Sequence, residues 1–135
     1  MAGELDRCGL TEVAFAAVGW LRTGERVRRA SDGYFSLVDR VKDMIISGGE
    51  NVYPREVEDV IASFPGVAEV AVVGLPDPLY DERVVAFVRV AEQKHAPDSA
   101  ELIAYVRERL AGFKVPEGVH FVDDLPRTGA GKVAK

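Results

Sequence analysis

A lysine near the end of the sequence is the side chain best suited to chemistry on anions. Lys132 closes the string PRTGAGK at 126–132, and the glycines of that string predict a loop that is easily reshaped. The string is not a Walker phosphate loop, because Pro126 stands where that motif has glycine and Val133 stands where it has Ser or Thr. Taken alone, Lys132 is more simply explained as a solvated surface cation.

A second string that could serve a reaction lies at 39–54 and reads DRVKDMIISGGENVYP. It joins the charged segment Asp39–Asp43 to a short apolar strand and a pair of glycines, and a helix is predicted to begin at Pro54. By local pattern alone, the charges are those of a solvent-exposed hairpin turn. Gly48 and Gly49 permit either a close approach to a thin ligand or an ordinary turn from strand to helix, and spacing does not separate these alternatives.

A hairpin and a first helix are predicted around these strings. The turn signal at 31–33 predicts a hairpin in which 34–38 pairs with a return strand at Met44–Ile46. Apolar residues recurring at helical spacing predict the buried face of a helix that begins at Pro54: Val57, Val60, Ile61 and Phe64. Acidic residues of the same helix are predicted to face water: Glu56, Glu58 and Asp59.

The second half of the sequence predicts further strands and one more helix. Two β-branched runs, 67–75 and 84–90, predict neighbouring strands, and a short strand is predicted at 119–122 before a loop-like tail. Asp98 with Glu101 predicts a capping box at the start of a helix that ends at Gly112. The apolar residues of that helix are predicted to point inward: Leu102, Ile103, Val106 and Leu110.

Helices and strands mixed without regular βαβ alternation favour the α+β class. The sequence predicts a small mixed domain with a short hairpin and a three-stranded sheet, packed by two or three helices. Its length of 135 residues, with 47% hydrophobic and 29% charged residues, is that of one ordinary globular domain.

The composition also limits the classes of function. A formal net charge of −5 argues against a nucleic-acid partner, which needs a basic surface. Cys8 is the only cysteine, so no intrachain disulfide can form, and a reducing, cytoplasmic location is expected. The acidic N-terminal residues do not resemble a signal peptide, and no apolar run approaches the ~20 residues of a membrane span. His95 and His120 lack metal-ligand spacing, so no metal site is predicted.

The strings at 39–54 and 126–132 together resemble the AMP-forming acyl-CoA synthetases, the adenylate-forming family of acid–CoA ligases, carrier-protein adenylation domains and beetle luciferases. FKVP at 113–116 and LPRT at 125–128 match the same family in the same order. The resemblance runs from about Gly19 to the end and covers only the small C-terminal domain of that family. The string SGGENVYP at 47–54 is more similar to fatty-acyl and aryl-CoA ligases than to peptide-synthetase domains, which implies coenzyme A as the acceptor.

The resemblance implies roles in the adenylation half-reaction. Lys132 would contact the carboxylate and the α-phosphate, where a protonated amine lowers the repulsion between two anions. Lys42 would be the hinge, whose backbone torsions change when the small domain rotates between its adenylating and thioester-forming positions. Arg40 would reach the ribose or phosphate of the adenylate. Glu25 stands where the family usually has the aspartate that holds both ribose hydroxyls.

The resemblance also implies roles on the acceptor side. Gly48, Gly49 and Glu50 would form the loop that enters the active site for the second half-reaction and lines the pantetheine tunnel. Asp81 stands where the family more often has glycine; aspartate tolerates a left-handed turn better than most residues, so we expect the fold to be retained.

The sequence contains no counterpart of the family's large domain, with its phosphate loop, adenine pocket and acyl pocket. The resemblance therefore implies that 1–38 is the end of the large domain, that 39–135 is the small domain, and that a large adenylating domain in cis or in trans completes the enzyme. ATP with Mg²⁺ and coenzyme A would be substrates of the complete enzyme, none of them bound tightly by this chain. The alternative hypothesis is a noncatalytic binding or homo-oligomerisation module left from a truncated synthetase gene.

Overall fold

The computed structural model describes residues 14–16, 19–91 and 97–135, so Cys8 and His95 lie outside the described residues. The chain divides into two compact units, residues 1–42 and 43–135. Each unit has its own sheet in the described part of the chain. The division falls a few residues beyond the boundary at 38/39 that the resemblance implies.

An antiparallel hairpin is the main element in the described part of residues 1–42. β1 (Glu25–Arg29) pairs with β2 (Phe35–Arg40) across the turn that the 31–33 signal predicts. The predicted pairing of 34–38 with Met44–Ile46 is therefore wrong. β1 has the sequence ERVRR and is exposed at every position, so it lacks the alternation of apolar and polar residues that predicts a strand.

Residues 43–135 contain a mixed sheet with the strand order β4-β3-β6-β5. Its strands are β3 (Ile45–Ser47), β4 (Glu50–Val52), β5 (Val67–Asp77), β6 (Asp81–Val90) and β7 (Gly118–Phe121). β5 and β6 form a long antiparallel hairpin, which confirms the predicted neighbours, while β7 runs parallel to β6. The α+β class is confirmed, and the described part of this sheet has five strands rather than three. Asp81 adopts a φ of +65°, the left-handed conformation expected of a residue in place of glycine.

Two helices pack on this sheet. α1 (Pro54–Ala62) begins with its proline in the first turn, as predicted. α2 (Ser99–Arg107) begins at the predicted capping box: the Asp98 carboxylate accepts from the Ala100 N–H, and Glu101 accepts from the Asp98 N–H. α2 ends at Arg107, and Gly112 instead begins a short 3-10 turn. No helix in the described ranges is long and apolar enough to cross a membrane.

The core of this unit lies between the helices and the sheet. Its helix positions are the predicted ones: Val57 and Ile61 of α1 and Leu102 and Val106 of α2 are buried, with the other predicted side chains packed at the margin. Each such side chain stabilises the fold by roughly 1.5–3 kcal/mol relative to exposure. The predicted buried faces of both helices are confirmed. These helices hold the sheet in place.

Candidate functional site

The predicted C-terminal loop is a small hydrogen-bonded hairpin at 126–134, which we call the lysine hairpin. Arg127 and Val133 pair as an antiparallel bridge. Inside that bridge the Thr128 N–H donates to the Lys132 carbonyl at 2.7 Å. The predicted loop-like tail is confirmed in that no helix or strand follows Phe121 among the described residues, and within it this segment pairs its own backbone groups.

Lys132 is exposed and directly follows the turn of the lysine hairpin. The preceding residue, Gly131, has a φ of +78°, a backbone conformation that residues other than glycine rarely adopt. Its N–H donates to the Thr128 carbonyl at 2.8 Å. Within residues 14–16, 19–91 and 97–135, no group forms an ion pair or hydrogen bond with the Lys132 ammonium. The ammonium is therefore accessible to an anion supplied from outside this unit.

Glu69 on β5 attaches the base of the lysine hairpin to the sheet. Its Oε2 accepts from Arg127 Nη2 at 2.6 Å and from Arg89 Nε at 3.4 Å. Arg127 Nη1 also donates to the Gly131 carbonyl at 3.4 Å, in the peptide group that precedes Lys132. We call Glu69, Arg89 and Arg127 the arginine clasp. It connects the edge strand β5 to the backbone that carries Lys132.

The arginine clasp should make the stability of the domain depend on pH. Hydrogen bonds from Arg127 and then Arg89 lower the pKa of Glu69 from its ordinary value of 4.5. Because the folded pKa is the lower one, the stabilisation is present above pH 4.5 and is lost as the pH falls through the folded pKa. We predict an NMR titration of the Glu69 carboxyl carbon with a midpoint below 4.5, moved back towards that value by Arg127→Gln. A midpoint of 4.5 in the unaltered chain would contradict the clasp.

Lys135 makes a second attachment next to the lysine hairpin. Its Nζ lies 2.6 Å from Glu58 Oε1, and the same oxygen accepts from the Val72 N–H at 2.7 Å. The prediction that Glu58 faces water is wrong. β5 is an edge strand of the order given above, so the N–H of Val72 needs a partner, and the α1 carboxylate supplies it.

Gly48 and Gly49 form the turn between β3 and β4, which we call the glycine turn. Both have positive φ, +57° and +82°, as a two-residue hairpin turn of type I′ requires. Of the two alternatives that the sequence leaves open, an ordinary turn from strand to helix is wrong, because Glu50 pairs back with Ser47 and opens β4. The Gly48 N–H donates to the Tyr80 carbonyl at 2.9 Å, which fixes the glycine turn to the β5–β6 hairpin.

A cleft with a volume of about 280 Å³ opens beside the glycine turn. Tyr80 and Phe113 line it, and both rings are partly exposed, at 45% and 42%. Ser47, Glu50 and Glu117 supply its polar groups. Aromatic walls with few polar groups suit a thin, uncharged chain, whereas the two carboxylates disfavour a phosphate in the cleft.

Glu25 and Arg40 face each other across the hairpin of residues 1–42. Glu25 is the first residue of β1, Arg40 is the last residue of β2, the two are paired, and both are exposed. Directly paired residues on antiparallel strands have Cβ atoms about 4.5–5.5 Å apart. The Asp39 carboxylate accepts from the Arg40 N–H at 2.7 Å, and the Val41 N–H donates to the Gly24 carbonyl at 2.8 Å. The hairpin thus brings together the two residues that the resemblance assigns to the nucleotide.

Lys42 lies in a 3-10 turn, Val41–Asp43, and its side chain is exposed. It is the last residue of the first compact unit. The hairpin turn predicted for the charged segment at 39–43 is wrong, because β2 continues to Arg40 and has its partner in β1.

The sequence matches the family model of the AMP-binding enzyme C-terminal domain over residues 56–132. The chain belongs to the AMP-binding enzyme C-terminal domain family. Feruloyl-CoA synthase from Amycolatopsis sp. is 51% identical to this C-terminal domain over 117 residues, which are 87% of the chain and 24% of that protein. A CoA ligase from Mycobacterium tuberculosis is 50% identical over 135 residues, which are 100% of the chain and 26% of that protein. The acid in that ligase's name is a propanoate that carries a methyl-dioxo-octahydro-indenyl group.

A solved structure gives the same result. The o-succinylbenzoate CoA synthetase MenE from Bacillus subtilis, in complex with the acyl-adenylate intermediate OSB-AMP, superposes with a TM-score of 0.87 at 40% identity. The match covers 98% of this chain and 27% of that one. The C-terminal domain thus spans about a quarter of the length of the relatives that it matches.

The candidate residues of this C-terminal domain fall into two groups. Lys132 and the glycine turn with Glu50 belong to residues 43–135, whereas Glu25, Arg40 and Lys42 belong to residues 1–42. The roles assigned to all of them stay predictions. His120 lies in β7 and stacks on Phe87 with ring centroids 5.3 Å apart, and the described ranges contain no cluster of three His, Cys, Asp or Glu side chains that could hold a metal.

Sequence reasoning missed the arginine clasp and a second buttressing carboxylate, Glu82. A signal for Glu69 is present, since it is the one charge inside the run VAEVAVV of β5. A charge next to a core needs a partner, so such an interruption indicates a long-range ion pair. The partner itself, Arg127, is distant in sequence and has no local signal.

Glu82 holds β3 onto the sheet, where the ladder between β3 and β6 consists of a single residue pair. Its Oε2 accepts from the Ile46 N–H at 2.8 Å. A Cβ on Gly74 would lie 2.6 Å from Glu82 Oε1, closer than real contacts allow. Glycine at position 74 therefore leaves room for the carboxylate that supports the strand before the glycine turn.

We predict that Gly74→Ala destabilises the domain by about 0.5–1.5 kcal/mol, because Glu82 must move and the Ile46 N–H loses its hydrogen bond to that carboxylate. Urea unfolding followed by circular dichroism measures the change. Gly129→Ala is the matched control, since no atom lies within 4 Å of a Cβ built there, and it should change the free energy of unfolding by less than about 0.5 kcal/mol. Equal unfolding midpoints for the two variants would show that the carboxylate has other room.

Proposed function

We propose that this domain is the C-terminal part of an AMP-forming acid–CoA ligase of the fatty-acyl or aryl-CoA type, and that a large adenylating domain of the same protein completes it. In the first half-reaction a carboxylate oxygen attacks the α-phosphorus of ATP, with Mg²⁺, and pyrophosphate leaves. In the second, the thiol of coenzyme A attacks the acyl carbon, AMP leaves, and the thiol proton goes to solvent. The relatives support this function, and a cytoplasmic location is part of the proposal.

Lys132 carries the proposal. The side chain is exposed next to the turn of a defined hairpin and has no partner among the described residues, so its ammonium can be delivered to a centre elsewhere. The attack of a carboxylate on a phosphate brings two anions together. A fixed cation with three N–H donors stabilises that transition state more than the separated reactants, and this difference accelerates the step.

Glu25 and Arg40 would hold the nucleotide from the hairpin of residues 1–42. The carboxylate of Glu25 can accept from ribose hydroxyls, and the guanidinium of Arg40 can donate to a phosphate or ribose oxygen. Their opposition in the β1–β2 ladder supports a joint role, because both would reach the same ligand. The longer glutamate arm places its carboxylate about one bond length further out than the usual aspartate.

Lys42 would be the hinge between the two half-reactions. The division of the chain directly after it supports this role, because torsions at a boundary between compact units can change without breaking a core. An exposed, polar side chain also remains hydrated in either state.

The glycine turn and its cleft would accept the pantetheine arm of coenzyme A. The arm is thin, uncharged and carries amides, which fits the aromatic walls of Tyr80 and Phe113 and the few polar groups between them. Gly48 and Gly49 permit close approach of their backbone. The phosphates of coenzyme A would lie outside the cleft, away from Glu50 and Glu117.

A noncatalytic module is the second candidate function. The observation that favours it is the exposed apolar surface of the hairpin unit, where Tyr34, Phe35 and Leu37 are 77%, 67% and 63% exposed. Such a surface could serve self-association in place of catalysis. Sedimentation of the isolated chain tests this candidate, and a monomer at high concentration counts against it.

A chimaera tests the proposed function. The matching C-terminal segment of the Amycolatopsis feruloyl-CoA synthase is replaced by this domain, and formation of feruloyl-CoA is measured. We expect synthesis well above that of the synthase lacking the segment, and we expect it to depend on Lys132. A folded chimaera no more active than the truncated synthase would favour the noncatalytic candidate.

A further inference from the structure

We propose that the arginine clasp is a positioning device for Lys132, which fixes the lysine hairpin to β5 so that the lysine moves with residues 43–135 as one body. The inference rests on the proposed role of Lys132 in adenylation. It adds two positioning residues, Glu69 and Arg127, that the resemblance does not assign.

Glu69 is held in place before it meets Arg127. It lies on β5 directly opposite Arg89 of β6, and Arg89 Nε donates to its carboxylate at 3.4 Å. A residue within a paired strand has a fixed backbone, and the cross-strand guanidinium limits the rotamers of the carboxylate. Glu69 is therefore a preorganised anchor on the rigid part of the domain.

Arg127 connects that anchor to the peptide of Lys132. Its Nη2 donates to Glu69 at 2.6 Å, while its Nη1 donates to the Gly131 carbonyl at 3.4 Å. A planar guanidinium can hold two acceptors in one fixed geometry, whereas an ammonium acts as a point charge. The identity of the residue, and not only its charge, should therefore matter.

The two ends of the lysine hairpin are attached as well. Leu125 is 3% exposed and packs before the hairpin, and Lys135 pairs with Glu58 after it. With both ends held and the internal bonds made, bending of the loop is not an available route for Lys132. The lysine would instead reach its target through movement of the whole unit, with its tip geometry kept.

The inference predicts a selective kinetic effect. A reacting group displaced by about 1 Å can slow a step by roughly 10²-fold, so a loosened but intact hairpin should slow adenylation by roughly tenfold. Arg127→Lys removes the guanidinium that holds two acceptors, and Glu69→Gln removes the negative charge of one of those acceptors. We expect both variants to keep the fold and Lys132. Because the proposed function uses Lys132 in adenylation, thioester formation from supplied acyl adenylate should be unchanged. A clasp that serves only stability would lower both half-reactions together.

The experiment compares both half-reactions in single turnovers of the chimaera, with ¹⁵N heteronuclear NOE values of Gly129, Gly131 and Lys132 in the 135-residue chain. Asp59→Asn is the matched control, because it removes an exposed ion pair on α1, in which Arg55 Nε lies 2.9 Å from Asp59 Oδ1. We expect Arg127→Lys and Glu69→Gln to show slower adenylation, unchanged thioester formation and lower NOE values at the hairpin tip. Urea unfolding of each variant separates loosening of the hairpin from loss of the fold.

Different results overturn different claims. If both variants adenylate as fast as Asp59→Asn while Lys132→Ala is slow, the clasp has no positioning role and the proposed function stands. If Lys132→Ala adenylates at the unaltered rate, the proposed function fails and the positioning role fails with it. Equal losses in both half-reactions, with a lower unfolding midpoint, would reduce the clasp to a structural ion pair.

Discussion

Lys132→Ala is expected to slow acyl-adenylate formation in the chimaera by about 10² to 10³-fold, the range found when a charge-stabilising donor is removed from a transition state. Since the side chain is exposed and no described residue pairs with it, the substitution removes no hydrogen bond or ion pair of the described residues. The free energy of unfolding should therefore change by less than about 0.5 kcal/mol. Pyrophosphate release in a single turnover with excess enzyme measures the rate.

Two further variants test the specificity of this effect. Lys132→Arg keeps the charge but changes the reach and shape of the donor group, and it should recover part of the rate. Arg55→Gln removes another exposed cation, on α1, and should leave the rate unchanged. Thioester formation from supplied acyl adenylate should be the same in all three. An unaltered rate of adenylation in Lys132→Ala would assign this lysine to the solvated surface.

Gly49→Val is expected to slow thioester formation by about 10²-fold, the effect of displacing a positioning loop by roughly 1 Å. Gly49 has a φ of +82°, where a β-branched side chain costs on the order of 1–3 kcal/mol of strain. No atom lies within 4 Å of a Cβ at this position, so the new side chain would project into open space. In sequence, Gly49 lies between Gly48 and Glu50, which both line the cleft. We expect it to obstruct the pantetheine arm.

The control for this prediction has the same backbone strain in another place. Gly33→Val, in the turn between β1 and β2, has a φ of +91° and equally open surroundings. It should lose comparable stability without a selective effect on the acceptor step. The measurement is the single-turnover transfer from acyl adenylate to coenzyme A. If both glycine variants slow this transfer equally, the glycine turn has no acceptor role beyond its structure.

Local sequence patterns predicted the elements whose signals lie within one turn or one strand. Pro54, the capping box at Asp98 and the periodic apolar positions around Val57 and Leu102 each specify their structure through neighbours in sequence. The strand β1 failed this test, because its charged residues carry no apolar alternation and its pairing is set by β2. That error also displaced the predicted partner of residues 34–38.

The site was predictable as a set of residues but not as an arrangement. Lys132 and the glycine pair are found by their strings, whereas the opposition of Glu25 and Arg40 depends on the register of a strand that the sequence does not predict. Glu58 has its partners at Val72 and Lys135, and Glu69 has its partner at Arg127. These partners are distant in sequence, and no local rule indicates them. Sequence reasoning therefore treated as solvated or mobile a segment that long-range ion pairs hold.

Differential acetylation of lysines in the chimaera tests most directly whether Lys132 leaves water for a reaction centre in another domain. The chimaera is labelled briefly with acetic anhydride, with and without a non-reactive analogue of the acyl adenylate, and each lysine is quantified by mass spectrometry. We predict that the analogue protects Lys132 roughly tenfold, the reduction expected when an exposed amine becomes buried and paired with anions, while Lys114, already bound to Glu56, changes little. Equal labelling of Lys132 with saturating analogue and without it would contradict the account.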